Sequence, residues 1–233
     1  LIFIVGSLCT CGLALLIATP FSLGSAIFIT EISPKFGEKF YRPVVEIFAG
    51  IPSVVYGFFG LVVIVPMIRD FGKWMKMMGL VEKSGDGKGV LTTSIILGMM
   101  ILPTIIGTTE SAMRAVPEQY YEGALALGAT HERSIFTVII PAAKSGVIAG
   151  IVLGIGRAIG ETMAVIMIVG NQPRLVSNML LGMRTLTGNI VIEMGYATGL
   201  HREALIATGV VLFVFILIIN FSVALLKRRG EHE

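Results

Sequence analysis

The run Gly154-Ile155-Gly156-Arg157-Ala158-Ile159-Gly160-Glu161-Thr162 puts an arginine, a carboxylate and a hydroxyl inside a stretch, about Val138 to Gly170, that is otherwise apolar apart from Lys144. A lone charge at the centre of a bilayer costs at least about 2.5–3.5 kcal/mol, so ionisable residues kept there mark a pathway or a bundle interior. The guanidinium is a planar fork of donors that matches the oxygens of a phosphate or a carboxylate. Arg157 and Glu161 are four apart, which on a continuous helix gives them one face. Two readings follow: a station for an anion in a substrate pathway, or a self-neutralising pair that locks this helix against a neighbour.

The same segment carries Gly146, Gly150 and Gly154 at four-residue intervals, then Gly156 and Gly160. Small residues at that spacing let two helices approach closely. The stripe serves either packing within the chain or a seam between two subunits around a pore.

The elements that must hold these residues are membrane helices. The 233 residues are 55% hydrophobic and 14% charged, with a mean hydropathy of +0.87. A soluble domain carries about 25% charged residues, so lipid must cover part of this surface. The net charge of +3 is spread along the chain and forms no basic stripe, which excludes a nucleic-acid binder. Five apolar spans are expected: Leu1 to about Thr30, with a kink or division at Pro20; about Val44 to Ile68; Gly89 to Thr109, kinked at Pro103; Val138 to Gly170; and Ala204 to Leu226. Arg69 to Lys88 reads as a loop with a short amphipathic piece around Trp74, and Asn171 to Glu203 as a mixed polar loop. The Lys227-Arg228-Arg229 cluster points to a cytoplasmic C-terminus, with loops 31–43 and 110–137 on the same side and loops 69–88 and 171–203 outside. With that cluster counted, Lys and Arg are almost evenly divided between the two sides, nine inside and eight outside, so charge alone leaves the orientation open. Cys9 and Cys11, two apart on a helix, point in different directions and read as apolar filler. His131, His201 and His232 are too dispersed for a metal site.

From Glu110 to Arg133 the pattern becomes that of a soluble helix, with Pro117 suited to its start, Glu118 and Glu122 near its positive end and Gly128 as a stop. The run Glu122-Gly123-Ala124, then Gly128, then Val138-Ile139-Ile140-Pro141 resembles the EAA loop of permeases from ABC importers. That pattern is Glu-Ala-Ala, three residues, Gly, nine residues, then Ile-x-Leu-Pro; Gly123, Val138 and Ile140 depart from it mildly. The resemblance implies that Glu122, Gly123, Ala124, Gly128 and Pro141 belong to a cytoplasmic coupling loop, about 110–137, that docks into an ATP-binding subunit. A short helix of small residues suits that task, because it can sit in a groove and carry rigid-body motion.

Ala49-Gly50-Ile51-Pro52-Ser53-Val54-Val55-Tyr56-Gly57, Ile101-Leu102-Pro103-Thr104 and the Arg157 run look like the signatures of the phosphate-specific branch of these permeases. Glu161-Thr162-Met163-Ala164-Val165 followed by Gly170-Asn171 is similar to its PstC-type subunits. The resemblance spans essentially the whole chain. It implies an all-α polytopic membrane protein with the type I ABC importer permease fold, the 233 residues forming one transmembrane domain. The family's usual six spans imply one further helix ahead of Leu1. Implied partners are a second, PstA-like permease, two ATP-binding subunits and an extracytoplasmic phosphate-binding protein, in the cytoplasmic (inner) membrane of a prokaryote. ATP and Mg would reside on the ATPase partner. This chain would bind no cofactor and catalyse no reaction; its Gly85-Asp86-Gly87-Lys88-Gly89 lacks the spacing and the Ser or Thr of a P-loop. Arg157, Glu161 and Thr162 would line the substrate pathway, Glu161 limiting how tightly Arg157 holds the anion. The alternatives are a permease of the same class for sulfate or molybdate, and an ion-coupled secondary transporter, which would need no ATPase.

Overall fold

The computed structural model describes residues 2–175 and 178–230, with side chains to 221; Leu1, the expected start of the first span, lies outside them. The described chain is helical, with an isolated bridge between Gly170 and Met183. Helix α1 is Ile2–Ile32, regular to Ile27 and ending in a wider π-type turn; it passes through Pro20 without a break. There follow α2 (Arg42–Gly50), α3 (Ser53–Met77), α4 (Val90–Arg114), α5 (Glu118–Ala126), α6 (His131–Ala142), α7 (Lys144–Gly160), α8 (Met163–Ile168), α9 (Leu186–Met194) and α10 (Gly199–Gly230). Among the described residues α1, α3, α4 and α10 are long and apolar enough to cross a membrane, and α6 with α7, bent by 68°, makes a fifth candidate. At 25 residues, α3 and α4 each reach ~37 Å, more than the ~30 Å hydrocarbon core.

Three sequence expectations change. The second span does not start at Val44: the chain breaks at Ile51-Pro52, where Pro52 sits at φ −59°, ψ 143°. Proline has no N–H to donate and disfavours helix in the residue before it. The span is Ser53–Met77, and the amphipathic piece around Trp74 is its continuation. The fourth span is not one rod either, because it bends between α6 and α7 and ends at Gly160. The 171–203 segment, expected as loop, contains α9, whose first turn is capped by the Thr185 hydroxyl accepting from the Gly188 N–H at 3.2 Å.

The chain divides into two compact units, each with its own core. The first takes Leu1–Ile17, Ile51–Met100 and Ile155–Ile218. Ala14, Leu97, Val165, Val169 and Met183 pack in one cluster, and Tyr56, Ile96, Met100, Ala164 and Ile168 in another. Lipid tails are as apolar as leucine, so van der Waals contact and hydrogen bonds must hold such helices together. The Ser94 hydroxyl on α4 donates to the Thr10 carbonyl on α1 at 3.1 Å, and the Ser7 hydroxyl accepts the Leu186 N–H at 3.0 Å. Helix α3 lies directly on α8: a Cβ on Gly57 would stand 2.8 Å from Ala164 Cα and 2.9 Å from Met167 Sδ. Gly57→Ala is therefore expected to destabilise the detergent-solubilised protein by about 1–3 kcal/mol through overpacking. Gly107→Ala, where an added Cβ meets nothing within 4 Å, is not. Thermal melting of the two variants side by side checks this; equal midpoints would refute the close contact.

The second unit takes Ala18–Gly50, Ile101–Gly154 and Ile219–Glu233. Its core is Ala26, Ile27, Met113, Ile135, Ile139 and Ala143, from α1, α4, α6 and the bend that follows α6. Of the four single-helix spans α4 is the most enclosed, with 67% of its apolar window buried, whereas the Gly199–Phe221 part of α10 has 6% and presents its side chains outward.

Candidate functional site

Arg157 stands on the last turn of α7, half-buried, and near enough to the Tyr56 phenol to act on it electrostatically. Tyr56 is itself 3% exposed. The helix ends at Gly160, and Thr162 leaves helical geometry at φ −124°, ψ −52°. Arg157 and Glu161 therefore do not share a helix face, because the rod stops between them. Glu161 turns back on the chain instead, its Oε1 accepting the N–H groups of Thr162 at 3.1 Å and Ala164 at 3.2 Å. A carboxylate there satisfies donors that the start of α8 leaves open. The Thr162 hydroxyl donates to the Gly160 carbonyl at 3.2 Å, and the Thr187 hydroxyl to the Glu161 carbonyl at 3.3 Å.

Unwound backbone at membrane depth is tolerated only where it is buried in protein or lines a water-filled cavity. A guanidinium one turn before such a break can offer donors to an anion without enclosing it. The cavity of about 10 Å³ lined by Thr10, Glu161, Thr185 and Thr187 is the size of one water and too small for an oxyanion. Glu161 thus shapes the break rather than an anion-sized pocket.

The glycine stripe faces α4 in the second unit. A Cβ on Gly146 would collide with Ala112 Cβ; one on Gly150 would stand 3.1 Å from Thr108 Cβ, and one on Gly154 3.0 Å from Ile105 Cδ1. Gly160 has nothing within 4 Å. The three contacts favour packing within the chain for positions 146, 150 and 154, and leave Gly160 apart from them.

The segment expected from the sequence to couple is α5 with the turn after it. Pro117 forms the N-cap position at φ −59°, ψ 132°. Glu122 and Gly123 are exposed and Ala124 is half-buried. Gly128 has φ +83°, a left-handed conformation that glycine adopts without cost. Its N–H donates to the Leu125 carbonyl at 2.9 Å and the Ala129 N–H to the Ala124 carbonyl at 3.1 Å. These are the two bonds of a Schellman stop. Thr130 then caps α6, and the Tyr121 hydroxyl meets His131 Nδ1 at 2.8 Å, tying α5 to α6. Exposed Pro141 lies at the far end of α6, beside the bend.

Two ionic clusters were not read from the sequence. Glu110, 6% exposed, meets Arg114 at 3.1 Å and Arg42 at 3.6 Å, and Arg114 reaches Glu38 at 3.0 Å. The i, i+4 spacing of Glu110 and Arg114 was a signal for half of it; Arg42 is too distant in the chain to leave one. In the first unit Arg184 holds Glu193 at 2.6 Å and Asn189 at 3.2 Å. Hydrogen bonds from Tyr196 and then from Arg184 keep the Glu193 carboxyl below its usual range, and the same contact pushes the Tyr196 phenol up.

An exposed helix closed by a Schellman stop and flanked by apolar spans, with a broken helix bearing a half-buried cation, is an arrangement that suits a membrane permease. The family described as "Binding-protein-dependent transport system inner membrane component" matches residues 18–231, and the chain belongs to it. It is 41% identical over 225 residues to "Probable ABC transporter permease protein YqgH" of Bacillus subtilis, covering 94% of this chain and 70% of that one. It is 37% identical over 234 residues to "Phosphate transport system permease protein PstC" of Xylella fastidiosa strain Temecula1, covering 97% and 71%. In fold it matches a structure of the MetNI methionine ABC transporter in an inward-facing conformation, with TM-score 0.69, 19% identity and 98% and 96% of the two chains covered. The chain is thus an all-α multi-pass membrane protein with the type I ABC importer permease fold.

Proposed function

We propose that this chain is the PstC-type permease subunit of an ATP-driven importer of inorganic phosphate, acting as one transmembrane domain that forms half of the translocation pathway. The observation that carries this reading is the similarity to PstC proteins along nearly the whole chain, 37% over 97% of it in one case and 35% over 99% in another. Its partners are a PstA-like permease, two ATP-binding subunits that hold ATP and Mg, and an extracytoplasmic phosphate-binding protein. The chain itself is a transport subunit, not an enzyme, in the cytoplasmic membrane of a prokaryote. ATP binding displaces α5, and the motion passes through α6 to α7 and Arg157. Arg157 then acts as a transient, solvated station for phosphate; a tight site would trap the ion.

Co-purification tests the architecture: an ATP-binding subunit should be retained by this chain, and its absence would favour a secondary transporter. The orientation has its own test. In intact cells, with Cys9 and Cys11 replaced, a cysteine at Lys83 should react with an impermeant thiol reagent. Lys83 is exposed, whereas its neighbour Ser84 is half-buried and Ser177, in the other outer loop, lies outside the described residues. Labelling seen only after lysis would invert the topology.

A further inference from the structure

Glu110 is a carboxylate on the last turn but one of α4, 6% exposed and claimed by two guanidiniums from different parts of the chain. Arg114 belongs to α4 itself; Arg42 opens α2. The cluster continues outward, since Arg114 Nη2 reaches Glu38 at 3.0 Å and Arg42 Nε reaches Glu46 at 3.1 Å. Every member lies in the second unit. The segment 34–50, which contains Glu38, Arg42 and Glu46, is thereby tied to the end of α4. Arg114 is three residues before Pro117, where the coupling helix α5 begins. The outer partners are solvated, with side-chain exposures of 51% for Arg42 and 37% for Arg114, while the Glu110 side chain keeps 7%. Exposed pairs of this kind contribute little by themselves. The buried carboxylate is different, because separating α4 from Arg42 strips it of one of its two cations and leaves Arg114 alone to compensate it.

We propose that Glu110 is a positioning residue for transport, clamping the 34–50 segment to the end of α4 so that a displacement of α5 moves both together. The proposal rests on the reading of α5 as the coupling helix. A staple that only held the fold would affect hydrolysis and transport alike; a clamp in the drive changes their ratio.

The experiment uses the full complex in proteoliposomes and measures phosphate moved per ATP hydrolysed. For Glu110→Gln and Arg42→Gln this ratio is expected to fall about two- to thirtyfold, the range over which network residues alter coupling, while hydrolysis itself persists. Arg42→Lys, which keeps the charge, should recover part of the loss. Should Glu110→Gln fail to assemble, Arg42→Gln decides, since it leaves Glu110 on Arg114. A second readout needs no substrate. With Cys9 and Cys11 replaced, a cysteine at exposed Phe40 should change its rate of thiol labelling when ATP is trapped, and should lose that response in Arg42→Gln. An unchanged ratio with an intact labelling response, or hydrolysis and transport falling in parallel, overturns the clamp. A normal labelling response in an unmodified complex that moves no phosphate, lost in Arg42→Gln, upholds the clamp and refutes the substrate instead.

Discussion

Arg157→Gln is expected to abolish most phosphate transport, because it removes the half-buried cation that the proposed station depends on. Assembly with the ATP-binding subunits should survive, because on the proposed reading docking falls to residues 110–137, which do not include Arg157. Arg157→Lys should recover only part: it keeps the charge and loses the fork. The structure sharpens the comparison with Glu161. A lock between the two residues would be relieved by Arg157→Gln with Glu161→Gln, since no buried charge would remain unpaired. The Glu161 carboxylate, however, accepts the N–H groups of Thr162 and Ala164, and a glutamine carbonyl can still accept them. The double variant should therefore fold and still not transport. Transport restored in it would refute the station.

The second large effect is at Gly128. No atom crowds that position, since an added Cβ meets nothing within 4 Å, but its φ is +83°. A side chain is disfavoured there by backbone conformation, at about 1–2 kcal/mol for a left-handed residue. Gly128→Trp also puts a large group on an exposed turn that, in the proposed function, seats against the ATP-binding subunit. It is expected to leave membrane insertion intact while ATP is hydrolysed without transport. Gly128→Asn, which tolerates the left-handed region, should retain most of the coupling. Normal phosphate uptake by Gly128→Trp would remove α5 from its proposed role.

What the sequence could tell followed from how local each cause is. Helix α5 and its stop were legible because Pro117 and Gly128 act within a turn of themselves. Four of the five expected spans were legible, and the fifth as a bent pair, because hydropathy is an average over some twenty residues; the same averaging hid the breaks. It ran Val44 straight through Pro52, and it carried the fourth span past Gly160 to Gly170. The break at Glu161 depends on a carboxylate folding back onto two N–H groups, an outcome that an i, i+4 spacing cannot distinguish from a pair on one helix face. The glycine stripe was visible, while its partner helix became known only through Ala112, Thr108 and Ile105. Glu110 looked like one more charge at the end of a span. Its burial and its contact with Arg42 come from the packing of segments far apart in the chain.

The most direct test of the central claim is ATP-dependent uptake of labelled phosphate by proteoliposomes holding this chain with its second permease and ATP-binding subunits, with the phosphate-binding protein inside or outside as the orientation requires. Sulfate and molybdate are run in parallel. The account predicts uptake that needs ATP and this chain, that neither other oxyanion matches, and that falls with Arg157→Gln. Equal or faster uptake of sulfate or molybdate, or phosphate uptake that continues without the ATP-binding subunits, would contradict it.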